Sequence, residues 1–452
     1  EMKYQEALNY MDSLNNYGIV PGLGSIRELC RRLDNPQDRL RFVHIAGTNG
    51  KGSVLAYVST VAGCAGYRVG RYISPAVREY RERFQVNGGM ITQKDFCGLL
   101  EELRQVCDSM AAEGLPHPTP FEVETALGFL YFSQKECDLV VLETGMGGRL
   151  DATNVIRNTL VAALTSVSMD HMQYLGNTLG AIAGEKAGIF KPGCRAVCIE
   201  QEPEAMEVIR AQAQQLRIPL TLADGKKATR VRYGLERQRF DYDGMKDLEI
   251  GLAGRYQIHN AVLAVEVCRA LGECGFDIPE KALRQGLRDT RWPGRFTILG
   301  RKPLFVADGA HNEDAAKKLA ESIEFYFTNK RIIFIMGILK DKEYEKIIGI
   351  TARYADQILT VAPPGNPRAM GSYELAREAA KVHPRVTAVD SLEEAVEISH
   401  LLAGREDVIV AFGSLSYLGR LMEIMEEREK RGKGEESGKA QAKPAICMVR
   451  II

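Results

Sequence analysis

Short apolar runs alternate with longer stretches of helical period over most of the chain. RFVHIAG, DLVVLETG, LVAALTS and RAVCIEQ are strand-length and rich in Val, Ile and Leu, and each leads into a helical pattern or a glycine turn. They do not alternate with polar residues, so burial on both faces is expected, as in a mostly parallel sheet covered by helices. The pattern restarts near residue 300. RWPGRFTILGRKPLFVADGAHN carries a Trp-Pro-Gly turn, a strand and another turn, and EDAAKKLAESIEFYF sets Ala315, Leu319, Ile323 and Phe327 on one helical face. RIIFIMGI, ADQILTVA and DVIVAFGS follow as further strands. Two α/β domains are therefore expected, 1–296 and a smaller Rossmann-like one at 297–427. From 428 onward REKRGKGEESGKAQAKPA has almost no large apolar residue and reads as a disordered tail to 452, with ICMVRII at its end either a docking strand or an aberrant terminus.

Composition narrows the class. Of 452 residues, 45% are hydrophobic and 26% charged, and 59 basic side chains balance 59 acidic ones. No basic excess points to nucleic acid or an anionic membrane. No run approaches the ~18 apolar residues of a membrane span. Glu1, Lys3, Glu6 and Asp12 interrupt the first apolar positions, so a secretory segment is not expected there. The ten cysteines include no CxxC pair; Cys194 and Cys198 are the closest spaced. Buried free thiols and a reducing cytoplasm are expected.

Candidate chemistry centres on HIAGTNGKGSV. A Walker A loop, GxxxxGK[ST], would need glycine where this chain has Ile45, and Gly52 separates Lys51 from Ser53. Even so, a strand runs into Gly47, Thr48, Asn49, Gly50, Lys51, Gly52 and Ser53, and a helix follows. Glycines let successive N–H groups converge on a phosphate, Lys51 adds charge, and Ser53 can offer its hydroxyl to Mg²⁺. An N-terminal P-loop ATPase-like sheet with helices on both faces is the expected fold. The plain alternative is a glycine-rich turn with an incidental lysine.

The loop AGTNGKGS resembles that of the Mur ligase superfamily, specifically folylpolyglutamate synthase and dihydrofolate synthase. The resemblance runs from about Tyr4 to Leu421 through SPAVREYRERFQVNG, TPFEVETALGF, LETGMGGRLDATNV, MDHMQYLGNTLGAIAGEKAGIFKPG, GLAGRYQIHNAVLA, RWPGRF, ADGAHN, GILKDKEYEKI and FGSLSYLGRL. It implies a ligase that phosphorylates a carboxylate with ATP and joins the acyl phosphate to the amine of L-glutamate, on a folate or on dihydropteroate. By this resemblance Ser53, Glu143, His171 and Lys186 surround Mg²⁺, with Lys186 either carbamylated or an unmodified phosphate-binding cation. Asn260, Arg295 and Asp308 would serve ATP, with Arg295 reaching across a domain gap that must close. His311 and Ser414 would serve glutamate, and Lys342 is either part of that wall or an exposed lysine. His259 is read as structural.

For the pterin, Thr119, Phe121, Arg149 and Asp151 offer an aromatic face with polar groups, with Phe121 as plain core the alternative. Ala76 stands where many relatives carry histidine, a departure confined to the folate loop. Catalytic work is assigned to Lys51, Lys186, Asp308 and His311 in a cytoplasmic monomer. Two other readings are a Mur-type ligase acting on a nucleotide-linked muramyl substrate and a nucleotide switch that forms no product.

Overall fold

Strands that are apolar throughout have no face to offer water, and β1 (Phe42–Ala46) and β5 (Leu139–Glu143) are buried along their whole length. They lie parallel, Ile45 opposite Glu143. The computed structural model describes residues 1–18 and 21–441, and its two compact units divide between Pro293 and Gly294. In the first unit β2 (Val69–Tyr72), β3 (Phe84–Val86), β4 (Gly89–Met90), β6 (Thr159–Leu164), β7 (Arg195–Ile199) and β8 (Leu220–Ala223) complete a sheet ordered β4-β3-β2-β5-β1-β6-β7-β8. Six strands, β2, β5, β1, β6, β7 and β8, are parallel, and the β3–β4 hairpin closes one edge antiparallel. The chain leaves β1 towards β2 and later crosses to β6 on the other side. That reversal opens a crevice at the carboxyl ends of β5, β1 and β6.

Helices cover both faces, as the sequence pattern implies. Phe42, Phe84, Phe96, Phe129 and Phe132 fill one core with the helices Gly24–Arg32, Gln93–Ala112 and Pro120–Gln134. Val43, Ile45 and Val141 face the opposite core, against Lys51–Cys64, Gln257–Glu273 and a three-stranded antiparallel sheet. That sheet, β9 (Thr229–Arg232), β10 (Gln238–Tyr242) and β11 (Met245–Ile250), is not announced by the sequence pattern, because its strands are short and partly exposed. Each large side chain buried in these cores contributes about 1.5–3 kcal/mol.

The second unit is a sheet ordered β12-β13-β17-β14-β15-β16, from β12 (Thr297–Arg301), β13 (Leu304–Asp308), β14 (Ile332–Met336), β15 (Gln357–Thr360), β16 (Val386–Ala388) and β17 (Val408–Phe412). All but β12 are parallel. Insertion of β17 between β13 and β14 sets the strand ends for a second crevice. On the Glu313–Tyr326 helix Ala315, Leu319 and Ile323 are buried on one face.

Two boundaries differ from the sequence reading. The units part three residues earlier than 296/297, because Gly294 and Phe296 already bond to the β13 turn: Gly309 N donates to Gly294 O at 2.8 Å and Phe296 N to Asp308 Oδ2 at 2.8 Å. Arg295 thus belongs to the second unit. The expected disorder from 428 is corrected over its first part, since the last helix runs Leu418–Gln441. Arg428 pairs with Glu397, and Lys433 with Glu429 one turn away. ICMVRII lies outside the described residues. The nine described cysteines are free, and burial pushes the thiols of Cys30, Cys198 and Cys268 up to about 12. No described helix is long and apolar enough to cross a membrane.

The helices Glu280–Asp289 and Lys51–Cys64 meet at Gly286, where a Cβ would fall 2.5 Å from Val61 Cα. Backbone cannot yield there as a side-chain tip would. Gly286→Ala is expected to lower unfolding free energy by about 1–3 kcal/mol, read as a lower urea midpoint at unchanged slope.

Candidate active site

The loop after β1 starts its helix at Lys51, so the N–H groups of Lys51, Gly52 and Ser53 have no carbonyl one turn back. They form a seat for an anion. The loop is held from both sides. Thr48 N donates to Ser166 O at 2.7 Å, and its hydroxyl exchanges bonds with Ser168 O (3.1 Å) and Ser168 N (2.9 Å). Ser166 Oγ donates to Asn49 O at 3.3 Å, while Gly47 packs on Thr165. On the helix side, Gln257 Nε2 donates to Ser53 Oγ (3.1 Å) and Asn260 Nδ2 to Gln257 Oε1 (3.2 Å).

Two glycines are required by their neighbours. Gly50 has φ +91°, and a Cβ there would lie 2.8 Å from Asn260 Oδ1. At Gly52 a Cβ would fall 2.4 Å from the Trp292 ring. The residue that breaks the Walker spacing is thus the one on which the indole rests.

Near this loop stand Glu143, opposite Ile45 in the sheet, and Lys186, which feels the charge of Lys51. Glu143 ends β5, buried, with Oε2 3.4 Å from Ser74 N. Lys186, in the last turn of the Leu179–Ala187 helix, is only 3% exposed and forms no ion pair among the described residues. Burial, and then the charge of Lys51, lower its pKa to about 7 against the opposing pull of Asp170 and Asp151. A sizeable neutral-amine fraction at neutral pH follows. His171 sits at φ +48° beside Asp170, Nε2 to Oδ2 3.6 Å.

Among the described residues no group of three His, Cys, Asp or Glu could hold a metal. The oxygen donors assigned to a metal here are a hydroxyl (Ser53) and one carboxylate (Glu143). That set fits Mg²⁺, which takes one or two carboxylates and completes its shell with water and phosphate oxygens.

Of the four residues assigned to the pterin, Arg149 and Asp151 belong to one loop, Phe121 packs on it, and Thr119 opens the helix that carries Phe121. Thr119 caps the Pro120–Gln134 helix in a capping box with Glu122. Asp151 is buried and accepts from Gly145 N and Met146 N. Phe121 lies against Gly145, where a Cβ would fall 2.7 Å from its ring. Arg149 pairs with Glu185 at 2.9 Å, one residue from Lys186.

In the second unit the residues gather at the ends of β13 and β17. Asp308 is buried, with Oδ2 taking Phe296 N and Oδ1 taking Ala310 N, each at 2.8 Å. His311 Nδ1 lies 2.8 Å from Gly309 O. A Cβ on Gly309 would meet Leu415 and the Arg295 guanidinium. Ser414 accepts from Ser416 N, capping the next turn. Lys342 is held by its own backbone, N to Leu339 O at 3.2 Å.

Residues 45–268 match the Mur ligase middle domain and 294–415 the Mur ligase glutamate ligase domain. The dihydrofolate synthase/folylpolyglutamate synthase of Bacillus subtilis (strain 168) is 34% identical over 92% of this chain and 97% of its own. The chain belongs to the folylpolyglutamate and dihydrofolate synthases of the Mur ligase family. Solved structures agree. The Mycobacterium tuberculosis folylpolyglutamate synthase complexed with ADP and AMPPCP aligns at TM-score 0.85 and 30% identity, covering 94% of this chain and 99% of that one. An FPGS–AMPPCP–folate complex aligns at 0.80 and 28%, covering 93% and 98%.

Three parts of this ligase escaped sequence reasoning: Gln257, Trp292 and the Thr165–Ser168 segment. Gln257 lies within the GLAGRYQIHN motif, and only its buried contact to Ser53 distinguishes it from a core glutamine. His259 packs over Gly225, in line with a structural role.

Trp292 is the sole tryptophan. Gly52→Ala is expected to displace its indole and shift the protein's fluorescence emission, and to weaken ATP-analogue binding. Unchanged emission with unchanged affinity would show that the indole does not bear on the loop.

Proposed function

We propose that this protein is an ATP-dependent ligase that adds L-glutamate to a folate, through an acyl phosphate, releasing ADP and phosphate. The observation that carries this reading is the convergence, at the ends of β1 and β5, of an anion seat, a buried carboxylate and a buried amine lowered to about 7. A bare carboxylate resists an amine because oxide would have to leave; phosphorylation by ATP supplies a leaving group. The amine nitrogen then attacks the acyl carbon, the carbon–oxygen bond to phosphate breaks, and the nitrogen loses its proton. The same groups react when glutamate is added to dihydropteroate, so that activity belongs to this proposal.

In this reading Lys51 and the N–H groups of residues 51–53 hold the transferring phosphoryl group, where fixed charge and orientation do most of the catalytic work. Ser53, Glu143, His171 and Lys186 would hold Mg²⁺, which when bound would offset phosphate charge. Asn260 lies against the loop on the nucleotide side. Phe121, with Thr119, Arg149 and Asp151, borders the pterin. In the second unit Asp308 shapes the turn that serves ATP with Arg295, and His311 and Ser414 meet glutamate. The enzyme acts as a cytoplasmic monomer, a setting in keeping with its buried thiols.

Folate labelled with ¹⁸O in the reacting carboxylate is expected to pass label to inorganic phosphate during turnover with ATP and glutamate; unlabelled phosphate would exclude the acyl phosphate. Lys51→Ala is expected to reduce turnover by about 10²–10³ while the protein stays folded. Normal turnover in that variant would remove the loop from the mechanism.

Lys186 is the amine most suited to react with CO₂, since carbamate formation needs the neutral form and gives an anionic oxygen ligand. As pH falls through about 7 the amine protonates and the carbamate is lost. Enzyme stripped of CO₂ below that pH is expected to lose activity and regain it with bicarbonate above it. A bare lysine mass in native spectra, with activity indifferent to bicarbonate, would instead make Lys186 a phosphate-binding cation.

A further inference from the structure

His44 lies in the middle of β1, fully buried, three residues before Gly47. Its Nε2 is 2.8 Å from Thr153 Oγ1, and that hydroxyl donates its one proton to Asp151 Oδ2 at 2.5 Å. The ring must therefore be the donor to Thr153. This requires the Nε2–H tautomer and leaves Nδ1 a bare acceptor, in keeping with its lack of any hydrogen-bond partner among the described residues. Burial, reinforced by the charge of Lys191, holds the imidazole neutral with a pKa of about 3.

The chain of bonds continues beyond Asp151. Its Oδ1 accepts from Gly145 N at 3.1 Å and Met146 N at 2.9 Å, and Oδ2 also takes Thr153 N at 3.2 Å. Gly145 in turn is the backbone on which Phe121 rests. One strand thus presents the nucleotide loop at its end and, through a single side chain in its middle, reaches the loop under the aromatic face. Nothing in the ligation chemistry calls for a neutral histidine at that depth, and an aliphatic residue would fill a buried strand position more simply.

We propose that His44 is a positioning residue: through Thr153 it orients the Asp151 carboxylate, and so fixes the 145–151 loop in the one conformation that seats the folate substrate. The proposal rests on the reading that this loop borders the folate pocket.

The decisive comparison is His44→Phe, Thr153→Val and the double variant, with His44→Gln as the conservative change that retains an N–H donor. Amide hydrogen exchange at Gly145 and Met146 is expected to quicken about tenfold in each single variant, the scale of one buried hydrogen bond, and no further in the double, because the two residues act in series. The KM for folate should rise by a similar factor while the KM for ATP stays unchanged, and His44→Gln should restore both readouts in part. Additive effects in the double variant, unchanged exchange, or equal rises in both KM values would overturn the proposal. If the wild-type protein turned over no folate, the functional reading would fail, yet the exchange data would still decide whether the relay holds the loop. Should the variants not fold, ¹⁵N spectra of histidine-labelled wild-type protein decide instead: an Nε2–H tautomer at His44 is required, and Nδ1–H refutes the relay.

Discussion

Positive charge concentrated at the end of β1 is the constraint on which the rest of the first unit turns. Lys51, the open N–H groups of its helix and the buried Lys186 act on the same small region, and the charge of Lys51 lowers the pKa of Lys186 further than burial alone. Such an arrangement lowers the stability of the empty protein, because the amine is withheld from water without an ion-pair partner among the described residues. It persists because the surrounding framework is over-determined. Two sheet faces are packed, and the loop is tied to β6 on one side and to the Gln257–Glu273 helix on the other. Groups held in place before any ligand arrives are what electrostatic catalysis demands.

The same economy of motion governs the loops. Thr48, Ser166 and Ser168 satisfy one another, Gln257 orients Ser53, and Trp292 covers Gly52. Glycine at 50 and 52 is thus a packing requirement of this tertiary structure as well as a backbone one. The altered spacing of the loop, which looks like a defect against the Walker pattern, gives the indole its place against the helix.

In the second unit an aspartate does comparable work. Asp308 accepts from Phe296 and Ala310, and so fixes the turn on which Gly309, Leu415 and Arg295 meet. A carboxylate held by backbone donors at the end of a parallel strand is rigid, and it lies where α/β sheets bind ligands. Its buried position distinguishes it from the half-buried His311 beside it.

The local code of the chain determined the class of fold and the phosphate loop. Runs such as FVHIA and LVVLE are apolar at every position, a property of strands buried on both faces, and the glycine-lysine-serine segment follows one of them directly. The family resemblance, carried by motifs in order, determined the chemistry. What the tertiary structure alone decided are relations between residues far apart in sequence. His44 meets Thr153 over 109 positions and Ser53 meets Gln257 over 204, and no periodicity encodes such pairs. It also separated the two jobs a polar side chain can do. Thr119 also caps a helix and Asp151 also holds a loop, because an oxygen shielded from water first satisfies the nearest backbone N–H.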